Sequence, residues 1–386
     1  MGRPDLWLTP GRRRAKVAHV EHRDEWQALG ERVREARVAA QLSQGELATR
    51  ISLDRTALVK IEAGTRRISA TELFRLADAL TVPASYFVAA PRAAVVSRRT
   101  ALVDDPDQAD RTRWRLDTAL DAHARDVEQL VEQGLLPVPD HRLPRSTVTT
   151  PDTARQLAQD ARTAAALGDD PISPLIDHCE FFGLYLLVVD EDTDGASLLL
   201  DGHGGIGAAV IGGRRHPGRR RWTAAHELGH HLMGDEYHAD VGVHSARDER
   251  EQLIDAFTAE FLLPAEGLRR RWPAHDHDDE RSRLIRIAAE HRASWSAVVD
   301  AAQRADLLDD GAAHRLRSDR PVRGDFLATV GAEPMPDLQT GATGSRWRQA
   351  VVQGYRRGAI TAARAVELLH GVLSEDELPA VADPAA

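Results

Sequence analysis

The chain is poor in the features of secreted and membrane proteins. Its single cysteine, Cys179, excludes an internal disulfide and favours a reducing compartment. No apolar run is long enough to span a bilayer, and the charged N-terminal segment lacks the apolar stretch of a signal peptide. We therefore expect a cytoplasmic protein that does not enter the membrane.

Lysine and net positive charge are scarce as well. The 386 residues contain only the lysines Lys16 and Lys60, and 60 acidic residues outnumber 50 basic ones, which gives a formal net charge of −10. A chain of that charge is not drawn to phosphate as a whole. Any nucleic-acid site must therefore be a local basic surface.

Breaks rich in proline, glycine and alanine divide the sequence into five parts. We predict a basic flexible arm over 1–24, a bundle of four or five helices over 25–88, a linker with a long helix over 89–150, an α+β domain with a small sheet over 151–305, and a C-terminal helical region over 306–386. The fold class is thus multidomain and mainly α. The long helix has an apolar stripe that needs a partner, either the flanking domain or a second copy of the chain.

Two short helices joined by a tight turn are predicted inside the N-terminal bundle. Ser43 and Glu46 form a capping box for the first, and Asp54 can cap the second. This pattern is typical of a helix-turn-helix. The region resembles the Xre, or lambda-repressor-like, family through Leu42-Ser43-Gln44-x-Glu46-Leu47-Ala48, Lys60-Ile61-Glu62-x-Gly64 and Pro83-x-x-Tyr86-Phe87.

That resemblance implies a surface for a double-stranded DNA operator. The positions expected to face base edges are Arg55, Thr56, Val59 and Lys60, and those expected to meet phosphates are Gln44, Thr65 and Arg66. Arg55 can pair bidentately with guanine, whereas Val59 offers only apolar contact. The alternative is a protein-docking module, because the charge of this region is nearly balanced.

The segment that organises the rest of the chain is His-Glu-x-x-His at 226–230, within a predicted helix. Residues four apart lie on one helical face, so His226 and His230 can bind one metal ion. Glu227 then sits beside the metal, where a carboxylate can take a proton from attacking water. A histidine-rich chain can contain this pattern by chance, so its neighbours must decide.

The neighbouring motifs resemble the ImmA/IrrE family of zinc metallopeptidases over roughly residues 151–305. They read Arg-Arg-Trp-Thr-x-Ala-His-Glu-Leu-Gly-His at 220–230 and Asp-Ala-Phe-x-Ala-x-x-Leu-Leu-Pro at 255–264. The resemblance implies a zincin-like fold and a Zn²⁺ ion held by His226, His230 and Glu251. It also implies that Glu227 is the catalytic base.

The residues themselves support Glu251 on a predicted helix over 247–263. Asp255 lies one turn further along the same face, where it could accept the outer N–H of a ligand histidine. Three competing carboxylates fall on other faces or more than two turns away, namely Asp248, Glu249 and Glu260.

The connection between the two motif helices offers three further candidates. Tyr237, His238 and His244 could each stabilise the oxyanion of a tetrahedral intermediate, or simply be solvated.

Together these features predict a DNA-binding regulatory zinc metalloendopeptidase. Its expected substrate is an Xre-type repressor, either a partner protein or the chain itself, cleaved to start a stress, phage-defence or mobile-element response. Single-stranded DNA is a candidate activating signal, and repressor-like proteins commonly bind DNA as homodimers. The alternative is a transcriptional regulator whose peptidase-like domain only senses a ligand or partner.

Overall fold

The computed structural model describes residues 11–88, 97–99, 106–137, 139, 148–200, 202–234, 244–272 and 279–381. For 11–24, 97–99, 106–110 and 244–247 the backbone alone is described. The chain forms two compact units, Met1–Pro91 and Arg92–Ala386. Within the described ranges, no helix is long and apolar enough to cross a membrane.

The first unit is a bundle of one long helix and several short ones. Its helices are α1 (Gly11–Ala39), α2 (Gln44–Arg50), α3 (Arg55–Glu62), α4 (Ala70–Leu80) and α5 (Ser85–Val88). The predicted capping box is confirmed, because Ser43 and Glu46 bond reciprocally at the start of α2. Asp54 caps α3 through the backbone N–H of Ala57, at 2.7 Å. The core is formed by Leu47, Leu58, Ile61, Leu76 and Phe87, all at most 1% exposed.

The flexible arm predicted over 1–24 is corrected from Gly11 onward, where the backbone is already helical. From Arg12 to Leu29 the sequence contains neither glycine nor proline, and it is rich in arginine and alanine, which favour helix. We predicted a flexible arm because this segment lacks an apolar face, and that prediction overlooked the intrinsic helix propensity of its residues.

The second unit places a small sheet between layers of helices. Its strands are β1 (Ser97–Arg99), β2 (Leu184–Val189), β3 (Gly195–Leu199) and β4 (Gly207–Gly212). Its helices are α6 (Pro106–Glu132), α7 (Pro151–Ala164), α8 (Leu175–Phe181), α9 (Pro217–Met233), α10 (His244–Leu262), α11 (Ala265–Arg271), α12 (Glu280–His291), α13 (Trp295–Arg304), α14 (Asp310–Ser318), α15 (Arg323–Val330), α16 (Ser345–Arg356) and α17 (Ala362–Leu368).

The strand order is β1-β3-β4-β2. Strands β2 and β4 are parallel, whereas β3 is antiparallel to both of its neighbours. The small sheet predicted from the sequence is confirmed. The glycine-rich 202–207 segment connects β3 to β4 as a hairpin, and the N–H of Leu200 donates to the carbonyl of Ile206 at 2.9 Å.

Each face of the sheet is covered by a separate hydrophobic cluster. One cluster packs helices α7 to α14 against the first face, through residues such as Leu186, Ile211 and Phe257. The other packs α6, α16 and α17 against the opposite face. Its members include Leu120, Val127, Leu198, Val210, Trp347 and Leu368.

This packing corrects the predicted domain limits. The long helix assigned to a linker over 89–150 and the region assigned separately to 306–386 both belong to the unit that holds the sheet. The apolar stripe of α6 has its partner in the same chain, at 0% exposure for Leu120 and Val127. That stripe therefore needs no second copy of the chain to cover it.

Candidate metal centre

Helix α9 is anchored before it reaches the metal motif. Pro217 stands at its first turn, and Gly234 ends it in the left-handed conformation at φ 62°. Arg219 donates to both carboxylate oxygens of Asp194, at 2.8 and 2.7 Å, just ahead of β3. This contact fixes the start of α9 against the strand over which its functional residues lie.

Arg221 forms a second, deeper anchor. Its side chain is 2% exposed, pairs with Asp337 and donates to the carbonyl of Ile172 at 2.8 Å. Burial lowers the pKa of Arg221, and the Asp337 carboxylate opposes that shift. The pair ties α9 to the segment that precedes α16.

His226, His230 and Glu251 come together as the sequence predicts. The Nε2 atoms of the two histidines lie 3.1 Å apart, and Glu251 Oε2 lies 3.3 Å from His226 Nε2. Glu251 Oε1 lies 3.8 Å from His230 Nε2. Ligand atoms around a tetrahedral zinc ion are separated by about 3.3 to 3.4 Å. The three side chains therefore fit a zinc ion by both donor type and spacing.

The burial of this group is uneven. Both histidines are 0% exposed, whereas the Glu251 side chain is 30% exposed. A small cavity of about 10 Å³, room for about one water molecule, lies beside His230 and is bordered by Leu184, Ser197 and Leu199. The accessible side of the metal group is therefore the side of Glu251.

Glu227 points toward β3. Its side chain is 0% exposed, and Ser197 Oγ donates to its Oε2 at 2.6 Å. Its Oε1 is buried without a hydrogen-bond partner among the described residues. A buried acceptor left unpaired costs about 1 to 3 kcal/mol. A carboxylate held by one oxygen and free at the other is suited to accepting a proton in the site.

Asp255 contacts the outer nitrogen of a predicted ligand. Its Oδ1 lies 3.2 Å from His226 Nδ1, so the ring can donate there while Nε2 faces the metal position. Of the competing carboxylates, Asp248 and Glu249 are exposed. Glu260 is 2% exposed and accepts from Gln159 Nε2 at 3.0 Å, which makes it part of the packing of α7 against α10.

Three sequence candidates are not placed by the structure. Tyr237 and His238 lie outside the described residues, and only the backbone of His244 is described, at the start of α10. Their roles stay predictions. His231 faces away from the metal group, and its Nε2 lies 2.9 Å from the carbonyl oxygen of Phe182.

Ser197 is the functional neighbour that the sequence reasoning missed. It is 3% exposed in the middle of β3, between the apolar residues Ala196 and Leu198. A polar residue inside an otherwise apolar strand was the available signal. Its partner could not be named, because Glu227 is 30 positions away in the chain.

In the first unit, helix α3 presents a mixed surface. Arg55, Thr56, Val59 and Lys60 are exposed, whereas Leu58 and Ile61, three residues apart on the inner face of α3, are buried. This arrangement leaves the predicted base-facing residues accessible to a ligand.

The residues predicted to meet phosphates are mostly held within the unit. Gln44 Nε2 donates to Glu62 Oε2 at 2.8 Å, and Arg66 Nη2 donates to Glu72 Oε1 at 2.7 Å. The bond from Arg66 lowers the pKa of Glu72 to about 2. Thr65 is exposed, and its hydroxyl donates to the carbonyl of Lys60 at 3.1 Å.

Comparison with known families assigns both regions. Residues 191–302 match the model of a peptidase family described as the IrrE N-terminal-like domain, and residues 33–87 match a helix-turn-helix model. The chain joins a helix-turn-helix domain to an IrrE-like domain. The resemblance inferred from the motifs is thereby confirmed, as is the mainly α, multidomain fold class.

The IrrE-like match contains β3, β4, α9 and α10, and therefore the whole His226, His230 and Glu251 group. The two matches support a DNA-binding regulator that carries a peptidase-like domain.

Among curated proteins, the chain is similar to an uncharacterized transcriptional regulator in the ATPase CF(0) region of Rhodospirillum rubrum. The two are 46% identical over 59 residues, which is 15% of this chain and 55% of that protein. The chain thus spans about half the length of this relative. A crystal structure of Bacillus thuringiensis PlcR in complex with the peptide PapR7 and DNA aligns over 89% of this chain and 91% of that chain, at 11% identity. Its TM-score of 0.17 carries no argument.

Proposed function

We propose that the protein is a DNA-binding regulatory zinc metalloendopeptidase whose substrate is an Xre-type transcriptional repressor. The observation that carries the proposal is the convergence of His226, His230 and Glu251 beside the buried carboxylate of Glu227. Structural zinc sites are commonly closed by four protein ligands, whereas catalytic sites keep a position open. The described group offers three ligands.

In this proposal His226, His230 and Glu251 hold the zinc ion, and Asp255 orients His226. When bound, zinc would polarise the scissile carbonyl and make water a stronger nucleophile. Glu227 accepts the proton of that water on Oε1, while Ser197 holds the other oxygen in place. The same carboxyl group then returns the proton to the leaving amine.

The helix-turn-helix domain supports a regulatory task over a digestive one. A peptidase carried on a DNA-binding chain would be delivered to the operators where repressors of the same type sit. A homodimer reading two half-sites and single-stranded DNA as the activating signal belong to the same proposal.

The first test measures zinc in the purified full-length protein and in two glutamate variants. We expect about one zinc ion per wild-type chain, as for a mononuclear site. Glu251→Gln should lose the metal, because it removes a charged ligand. Glu249→Gln is the matched control, since Glu249 is an exposed glutamate on the same helix and should leave the zinc content unchanged.

The second test measures cleavage. Glu227→Gln should keep the zinc ion and lower the rate of repressor cleavage about 10²- to 10⁴-fold, because the general base is lost. The assay incubates the full chain with an Xre-type repressor, with and without single-stranded DNA, and identifies fragments by mass spectrometry. A wild-type protein that holds zinc but cuts neither the repressor nor itself would instead indicate a regulator with a non-catalytic domain.

A further inference from the structure

The strand β1 comes from the segment that joins the two units. Ser97–Arg99 pairs antiparallel with β3, with Ser97 opposite Ser197 and Arg99 opposite Gly195. In the sheet order β1-β3-β4-β2, this short strand lies outside β3. A segment predicted as a linker is therefore part of the sheet.

The orientation of α9 over the sheet follows from two contacts. Glu227 is bonded to Ser197 on β3 at 2.6 Å. His231 lies over the start of β4, where a Cβ atom added to Gly207 would meet its Nδ1 at 2.7 Å. The rotation about the helix axis from Glu227 to His231 therefore points from β3 toward β4.

The metal ligands lie on the opposite side of Glu227. With about 100° of rotation per residue, His231 is turned about 40° from Glu227 in one direction. His230 and His226 are turned about 60° and 100° in the other direction. The two histidines therefore face the edge of β3 with which β1 pairs, and they face away from β4.

Sheet edges bind extended chains, because their unpaired N–H and C=O groups form a ladder with any strand that approaches. An extended peptide that reaches the metal group would form backbone hydrogen bonds with the edge of β3 on this side of the sheet. Ser97–Arg99 already occupies the stretch of that edge opposite Ser197, the residue that holds Glu227.

We infer that Ser97–Arg99 is an intramolecular blocking strand, which occupies the substrate-binding edge and must leave before an extended segment of another protein can pair there. The inference rests on the proposed function. The blocking strand is short: it has three residues, whereas strands typically have about five to six. A strand with so few ladder bonds can be displaced by a longer peptide.

The test uses the full-length chain with Glu227→Gln, so that binding is measured without hydrolysis. Arg98→Pro removes a backbone N–H and restricts φ, which weakens β1. Arg98→Ala is the matched control, since it removes the same charge and keeps the backbone N–H. The probe is a fluorescent peptide with the sequence of residues 92–104, and its binding is followed by anisotropy.

We expect the peptide to bind the Arg98→Pro protein at least about tenfold more tightly than either the parent or Arg98→Ala, by loss of an intramolecular competitor. Hydrogen exchange at the amides of 195–199 should rise in the same variant and fall when the peptide is added. If proline unfolds the unit, as judged by thermal melting, the double variant Ser97→Gly and Arg99→Gly replaces it. Glycine weakens a strand without removing its N–H groups.

Equal peptide binding by all three proteins, with faster exchange in the proline variant, would overturn the inference. So would an equal gain with Arg98→Ala, because charge and not strand pairing would then be responsible. With Glu227 restored, a protein that binds the peptide tightly but cuts neither an Xre-type repressor nor itself would leave the blocking strand standing and overturn the proposed peptidase function. The two failures are thus distinguishable.

Discussion

At the scale of single residues, two carboxylates beside the metal group differ in what holds them. Glu227 is fully buried and is held by Ser197, whereas the Asp255 side chain is 39% exposed and contacts His226 Nδ1 at 3.2 Å. In the proposed function the first takes part in proton transfer, and the second acts through the ring that it orients.

The role of Asp255 can be tested through metal affinity. Asp255→Ala should weaken zinc binding about 10- to 100-fold, because His226 loses the acceptor that sets its tautomer and orientation. Asp255→Asn should lose less, since an amide oxygen still accepts from Nδ1. Titration against a zinc-binding dye measures the change, and Asp248→Ala on the same helix serves as the exposed control. An unchanged zinc affinity in Asp255→Ala would contradict the orienting role.

The exposed face of α3 also makes a residue-scale prediction. Arg55→Ala should weaken binding to a selected operator by about 1 to 3 kcal/mol and relax the preference at one base pair, as loss of a bidentate guanine contact does. The matched control is Arg75→Ala, which removes an exposed arginine from α4. Gel-shift assays on operator variants measure both. If both variants lost the same affinity for every operator variant, Arg55 would contribute only general charge attraction to DNA.

At the scale of elements, the position of α9 depends on the buried ion pair of Arg221 and Asp337. The pair joins the first turns of α9 to a segment more than 100 residues later in the chain, at 2% and 10% exposure of the two side chains. Removing one member leaves a buried charge without its partner. The other member then pays the full cost of desolvation.

Asp337→Asn should therefore lower the free energy of unfolding by about 3 to 5 kcal/mol, as breaking a buried pair does. Urea denaturation of the full chain followed by circular dichroism measures the change. The control is Asp190→Asn, because its pair with Arg214 is 64% and 58% exposed and should contribute little. Similar effects of the two substitutions would mean that the Arg221 pair does not anchor α9.

At the scale of the whole molecule, the C-terminal helices are tied to the peptidase-like core by Glu180. Its carboxylate accepts from the backbone N–H groups of Arg346 and Trp347, at 2.8 and 3.1 Å, where α16 begins. Gly344 is required beside it, since a Cβ there would overlap the Glu180 carboxylate. Burial raises the pKa of Glu180 from 4.5 to about 7.

This shift predicts a pH dependence of stability. Because the folded protein holds the proton of Glu180 more tightly than the unfolded chain, the stabilisation is fully present below pH 4.5 and is lost as the pH rises through about 7. Urea unfolding of the wild type and of Glu180→Gln should therefore diverge across that range, with the wild type losing stability relative to the variant. A difference between the two that is constant with pH would rule out this titration.

The sequence by itself determined the elements that depend on near neighbours. The caps of α2 and α3 follow from Ser43 and Asp54, and the pairing of His226 with His230 follows from their spacing of four on a helix. Hydrogen bonds within one turn and periodicities of a few residues are local, so a single sequence carries them. The continuous apolar run that becomes β2 is local in the same sense.

Only the tertiary structure decided which distant segments meet. Ser197 became the partner of Glu227, and Ser97–Arg99 became a strand, through contacts between segments far apart in the chain. The assignment of α6 and the C-terminal helices to the two faces of one sheet arose in the same way. Strand pairing and layer packing depend on contacts across long loops, and no local pattern specifies which of many apolar faces will come together.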